Sequence, residues 1–396
     1  MNLGDAFDRI AHKRVALVDL PHMGSNQHEI NGVAALRDFF ETSEKVTGSM
    51  TWMRFADDAD AVPVSGEFTF YDARERGAER TGRSEWRLYY KGDGLLGSRP
   101  GDLLVMARTR GGEILALVFE QGSGWERAAL ELFPISGSGG AVRLLSQQIL
   151  CETELDLVRR AVLDQLEIDF TVHEPDLEGV VVEKFGLTFP STAAMSRFAR
   201  ERMPAMGATA DEALWAWIDM EERLFRALER VIVGERLERG FASVDDFLTS
   251  SLSVQNRRKS RMGHALENHL AAVFDRHAVA YSPQVRTEGN RTADFIFPSA
   301  DAYRDRQFPT ARLTVLAAKS TCKDRWPQVL ADADRIPVKH LCTLDTALSG
   351  FQIADMLSKQ ILPVMPARVL SGYSGVTGAG EILNVAGFID LVRERV

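Results

Sequence analysis

Along the first 175 residues the apolar positions fall in short runs broken by glycine-rich turns. Gly66–Tyr71, Arg87–Tyr90, Asp102–Ala107 and Ile114–Phe119 are such runs, and Gly92-Asp93-Gly94, Arg110-Gly111-Gly112 and Ser136-Gly137-Ser138-Gly139-Gly140 separate or follow them. Runs of this length between turn signals predict strands, and many short strands predict a barrel or sandwich. Helices are predicted beside it at Gly32 to Phe40 and at Thr153 to Glu167.

The pattern changes after Glu174-Pro175-Asp176-Leu177-Glu178-Gly179, which reads as a domain exit, and Phe189-Pro190-Ser191-Thr192 reads as a helix entry. Leu214, Trp217, Ile218, Leu224, Leu228 and Val231 are spaced for one buried face of a helix from Asp211 to Arg239. Beyond Arg261 a helix from about Ser260 to His277 precedes strands at Thr292–Phe297 and Arg312–Lys319. A helix from Trp326 to Arg335 and strands at His340–Leu344 and Ile361–Met365 follow. That order is α/β, built on one central mixed sheet. The expected organisation is a β-rich domain over 1–175, a hinge over 176–188 and an α/β domain over 189–396.

The 396 residues suit two or three domains, and 45% hydrophobic with 26% charged residues excludes whole-chain disorder. No apolar run reaches the ~18–20 residues of a membrane helix, and Asp5 and Asp8 stand where a signal peptide carries bases. Cys151, Cys322 and Cys342 are too widely spaced for a disulfide framework or a metal knuckle. A soluble, reduced, cytoplasmic protein with no membrane partner is expected.

The net charge of −9 excludes a uniformly basic coat for nucleic acid, so local distribution matters more. Arg74, Arg76, Arg80, Arg83 and Arg87 recur near Trp86, Tyr89 and Tyr90, and Arg257, Arg258, Lys259 and Arg261 form a run without an acid. For either segment alone a solvated face is the plainer reading.

The sharpest chemical feature is an acid on one strand and a lysine closing the next. Asp294 lies in Ala293-Asp294-Phe295-Ile296-Phe297, and Lys319 ends Leu316-Ala317-Ala318-Lys319. A carboxylate that holds a divalent metal, with a lysine that orients water or neutralises developing charge, is what phosphodiester hydrolysis needs. A structural salt bridge is the competing reading. Glu267, beside core-facing Leu266 and Leu270, and Asp332, on the predicted following helix, add two acids to the same region. Lys323, Asp324 and Arg325 then stand at a helix N-terminus, where arginine can read guanine and a carboxylate can read cytosine. Asp324 as a plain N-cap is the alternative.

Several of these blocks occur together in one known family. Ser260-Arg261-Met262-Gly263 through Glu267, Thr287-Glu288-Gly289-Asn290 leading to Asp294-Phe295-Ile296-Phe297-Pro298-Ser299, and Ala318-Lys319 with Cys322-Lys323-Asp324-Arg325-Trp326 resemble the catalytic domain of EcoRII-type restriction endonucleases. That family is a branch of the PD-(D/E)xK nuclease superfamily. More loosely, Gly24-Ser25-Asn26-Gln27-His28-Glu29 and the stretch Phe70 to Arg87 resemble its two N-terminal DNA-binding arms.

The resemblance implies an N-terminal DNA-binding pseudobarrel and a C-terminal restriction-endonuclease-like α/β sandwich. It implies a type II restriction endonuclease that uses Mg2+ on double-stranded DNA at two copies of a recognition site. The N-terminal domain would take one copy through Asn26, Gln27, His28 and the five arginines, and would restrain cleavage. A homodimer and a cognate DNA methyltransferase are implied as partners.

Residue by residue, the resemblance makes Asp294 the main metal ligand, helped by Glu267 and the Ala318 carbonyl, and Lys319 the catalytic lysine. Lys323 matches a supporting position. From their own chemistry, Asp324 and Arg325 are expected to read bases, and Arg257, Arg258, Lys259 and Arg261 to contact the DNA backbone. The chain departs from the family at Ala293, where the motif has proline, and at Asp332, where it has glutamate. Ala317 stands in the superfamily's second acid position, as this branch allows. A modification-dependent or repair endonuclease, and a DNA-binding regulator with a decayed site, remain alternatives.

Overall fold

The computed structural model describes residues 2–23, 28–30, 34–74, 84–135, 139–168, 174–322, 326–376 and 378–395, apart from the Lys259 side chain. The chain divides into two compact units, Met1–Thr171 and Val172–Val396.

The first unit is built on one eight-stranded sheet. Its strands are β1 (Phe7–Arg14), β2 (Glu29–Ile30), β3 (Val46–Phe55), β4 (Val64–Asp72), β5 (Trp86–Tyr90), β6 (Leu103–Thr109), β7 (Ile114–Phe119) and β8 (Arg143–Leu144). They run in the order β2-β5-β4-β3-β7-β6-β1-β8, antiparallel except for the parallel pair β3–β7. One apolar core spans the sheet from Ile30 on β2 to Ala11 on β1, through Trp52, Phe70, Tyr90, Met106 and Val118. Every second residue of a strand can feed such a core. The helix expected from Thr153 to Glu167 is shorter, Leu157–Gln165, and a separate helix, Gln147–Glu152, comes before it. Asp156 causes the break, because its side chain accepts the Arg159 N–H at 3.0 Å and caps the second helix.

The second unit carries a five-stranded mixed sheet in the order β13-β12-β11-β10-β9. The strands are β9 (Ser282–Arg286), β10 (Thr292–Phe297), β11 (Thr314–Lys319), β12 (Lys339–Thr343) and β13 (Ile361–Val364). β9, β10 and β11 pair antiparallel, whereas β11, β12 and β13 pair parallel. Two long helices, Ala210–Arg239 and Val244–Arg276, precede the sheet. Leu266, Leu270, Val273 and Phe274 of the second are fully buried, and the Phe274 ring meets those of Phe295 and Phe297 on β10 edge-on at 5.3 and 5.2 Å. This packing fixes the helix against β10.

Three expectations change here. The segment expected as a hinge, 176–188, is mostly helix, Pro175–Phe185, with Pro175 at the first turn and Val181 fully buried in a cluster with Leu224 and Leu228. Proline needs no N–H partner there, which explains why the exit signal opens a helix instead. The helix expected from Trp326 to Arg335 is a single turn, Trp326–Val329, so Asp332 lies in the turn that follows. The helix expected from Ser260 begins at Val244, capped by Ser243. Among the described residues, no helix is long and apolar enough to cross a membrane.

Asp211, 6% exposed at the start of its helix, ties distant segments together. Its carboxylate accepts the N–H groups of Ala367, Val385 and Ala386 at 2.9, 3.0 and 2.9 Å. Asp211→Ala strands these donors and is expected to cost about 3 kcal/mol in urea unfolding of the second unit. Asp211→Asn, which keeps one acceptor oxygen, should cost less.

Candidate active site

Asp294 stands where the ladder between β10 and β11 stops. The last paired residues there are Phe295 and Leu316, although β10 continues back to Thr292. Asp294 takes over as acceptor: its Oδ2 receives the Ala318 N–H at 2.8 Å and the Lys319 ammonium at 2.8 Å. Residues opposite one another on paired strands, and those two further along, share a face. Asp294, Ala317 and Lys319 therefore lie on one face, and the small Ala317 leaves room for the lysine to cross.

Glu267 comes from the helix Val244–Arg276, one side of which is held to β10 by Phe274. Burial, and then the charge of Asp294, raise its pKa above the ordinary value. A side chain that sequence reasoning missed links the two acids. Gln284, on β9, donates Nε2–H to Glu267 Oε2 at 2.8 Å and lies 3.5 Å from Asp294 Oδ1. Only the tertiary pairing marks it, because the run Ser282-Pro283-Gln284-Val285-Arg286 has no clear alternation of its own.

Asp332 is half-buried, and Arg291 tethers its turn by donating to the Ala331 carbonyl at 2.7 Å. Burial first, and Asp294 second, push its pKa up to about 6, against the pull of Lys319. The structure thus brings Asp294, Lys319 and Glu267 together and places Asp332 within their electrostatic reach. Lys323, Asp324 and Arg325 lie outside the described residues.

The basic run is largely committed elsewhere. Arg261 is 6% exposed and pairs with Glu222 and Glu221, and Arg258 forks onto Glu229 with contacts of 2.6 and 2.9 Å. The charges of these two already neutralise acids of the neighbouring helix, with which a DNA phosphate would compete. Arg257 lies over the Phe189 ring at 4.5 Å.

In the first unit Arg87 pairs with Glu29 at 2.8 Å and Glu85 at 2.7 Å, and Arg74 pairs with Glu85 at 2.6 Å. Hydrogen bonds from both arginines hold Glu85 below the usual carboxylate range. A phosphate would compete with these acids. His28 packs edge-on to Tyr90 at 5.5 Å. Asn26, Gln27, Arg76, Arg80 and Arg83 lie outside the described residues.

The free oxygens at the site are hard donors, which suits Mg2+, an ion commonly held by one or two carboxylates and water. Asp294 Oδ1 and the Glu267 carboxylate fit that requirement, bridged as they are by a single amide. Among the described residues, no three His, Cys, Asp or Glu side chains gather closely enough to form a complete metal cage.

Residues 225–389 match the family model for the EcoRII C-terminal domain. This stretch of the chain is similar to that domain family. The matched stretch includes Glu267, Gln284, Asp294, Lys319 and Asp332. The type II restriction enzyme EcoRII of Escherichia coli is 37% identical over 211 residues, 53% of this chain and 52% of that protein. The chain thus spans about half the length of this relative. Among solved structures, metal-depleted Ecl18kI in complex with uncleaved, modified DNA is similar with a TM-score of 0.45 and 16% identity, over 55% of this chain and 83% of that one. The complex of restriction endonuclease PspGI with substrate DNA is similar at 0.44 and 13%, over 54% and 95%.

Because Asp332 has a folded pKa near 6, above the ordinary 3.8, its favourable contribution to stability is present below pH 4 and is lost as pH rises through 6. Asp332→Asn should therefore gain stability over the parent across pH 4–6 and keep the gain above it, on the order of 2 kcal/mol. Urea unfolding of cation-free protein at pH 4, 6 and 8 measures this; a pH-independent difference contradicts the assignment.

Proposed function

We propose that this chain is a site-specific, Mg2+-dependent endonuclease that hydrolyses phosphodiester bonds of duplex DNA, acting as a type II restriction enzyme against foreign DNA. The observation that carries the reading is the Asp294–Lys319 pair at the open end of β10 and β11, with Glu267 beside it, inside the stretch that matches the EcoRII C-terminal family model. An intact pair of this kind favours a working enzyme over a decayed regulator.

Asp294, Glu267 and the Ala318 carbonyl would hold the ion, which when bound polarises the scissile phosphate and acidifies water. Lys319 spends one of its three N–H donors on Asp294, leaving two for the attacking water or a phosphate oxygen. Because it is fixed by a strand end and a carboxylate, its ammonium stabilises developing charge with little reorganisation. Asp332, with a pKa near 6, can take up a proton at the edge of this site near neutral pH. Lys323 would support the site, with Asp324 and Arg325 reading G·C pairs.

The first unit, read as a pseudobarrel with His28, Arg74 and Arg87 on its binding side, would bind a second copy of the recognition site and restrain cleavage. Cutting both strands needs two such sites, which favours a homodimer on a near-palindromic target. A methyltransferase of the same specificity would protect the host DNA.

With Mg2+ and plasmid DNA, Asp294→Ala and Lys319→Ala should each abolish cleavage and leave DNA binding by gel shift largely intact. Near-parental cutting by either variant removes the proposed site. A chain beginning at Val172, which keeps the helix Pro175–Phe185 and its buried Val181, should cut single-site DNA faster than the full chain. Equal rates for the two chains contradict the restraint.

A further inference from the structure

Among the described residues, the carboxylates at the site are too few to surround an ion, and the residue opposite Asp294 on β11 is alanine. The residue opposite Asp294 on its other side is Gln284, flanked by the pairs Ala293–Val285 and Phe295–Pro283. We propose that Gln284 completes the cation site, presenting its side-chain carbonyl Oε1 as a neutral ligand beside Asp294 and Glu267. This rests on the nuclease reading above, and deepens it.

Two observations converge on this glutamine. Its amide already bridges the two acids, 2.8 Å from Glu267 Oε2 and 3.5 Å from Asp294 Oδ1. The end of this amide lies within reach of both carboxylates, where it would stand beside any cation that they held together. The backbone at Gln284 has φ +50 within a strand, a conformation in which glycine or asparagine is the cheaper residue. Gln284 is exposed, so packing does not account for a long side chain at this position.

The amide's chemistry makes the arrangement work in both states. Its two ends have nearly the same shape, and rotation about the last side-chain bond exchanges donor for acceptor. Without a cation, two neighbouring carboxylates favour the N–H end, which eases the repulsion between them. With a cation between them the favoured end is the oxygen, and hard cations accept amide carbonyl ligands readily. The side chain thus serves as a spacer when the site is empty and as a ligand when it is filled.

The test uses the full chain without DNA, with Mg2+ and Ca2+ as the probes, and reads cation affinity by calorimetry and the melting temperature of cation-free protein. Gln284→Asn and Gln284→Gly suit the left-handed backbone and should weaken Mg2+ binding by about tenfold or more. Gln284→Glu should lower the cation-free melting temperature, because it adds a third anion, and should keep or tighten Mg2+ binding. Unchanged affinity in Gln284→Gly overturns the proposal, as does a Gln284→Glu chain that binds Mg2+ as weakly as Gln284→Gly. Asp294→Ala separates the two levels: if it binds Mg2+ as the parent does, the reading of the whole site falls, and not only the role of Gln284.

Discussion

One carboxylate oxygen organises the second unit's working edge. Where β10 and β11 part, the next ladder bond is made by Asp294 Oδ2 instead of a backbone carbonyl, and the same oxygen receives Lys319. Asp294 is only 8% exposed, so its charge is costly unless such donors surround it. That requirement determines which way the lysine points and leaves Oδ1 facing Glu267 and Gln284. The elevated pKa values of Glu267 and Asp332 follow from the same constraint, since both are partly buried in the field of this one anion.

A second set of buried charges sets the register of the two long helices. Glu221, Glu222 and Glu229 on the first face His269, Arg261 and Arg258 on the second, with Arg226 also paired to Glu222. Burial lowers the His269 pKa, and Arg200 approaches its Nδ1 at 3.2 Å, which leaves Nε2 to face Glu221 at 2.8 Å. Buried pairs of this kind add little net stability, because desolvation offsets their attraction. Breaking one is far more costly, so a slipped register is penalised. The position of Glu267 depends on that register, six residues beyond Arg261 on the same helix.

The parts of the site carried by single strands are legible in the amino-acid sequence. Thr292–Phe297 is read with its observed bounds, Lys319 closes its strand, and Leu266 and Leu270 are buried as their spacing implies. Local patterning suffices there, because a short apolar run between turns has few other ways to be buried. It does not mark β3, whose Val46-Thr47-Gly48-Ser49 pair with β4. It fails also at Asp332, where a helical pattern gives way to a turn anchored by Arg291.

Chain order and residue type alone thus specify a β-rich unit, an α/β unit and an acid–lysine pair on neighbouring strands. Which charges face solvent is a different matter. Arg258 and Arg261 read as surface bases and are internal partners of Glu229 and Glu222, because the acids that claim them lie about thirty to forty residues earlier on another helix. Gln284 carries no local signal, yet the antiparallel pairing of β9 with β10 sets it opposite Asp294 and within reach of Glu267. Contacts between residues distant in the chain have no period for a local pattern to register, and tertiary packing alone decides them.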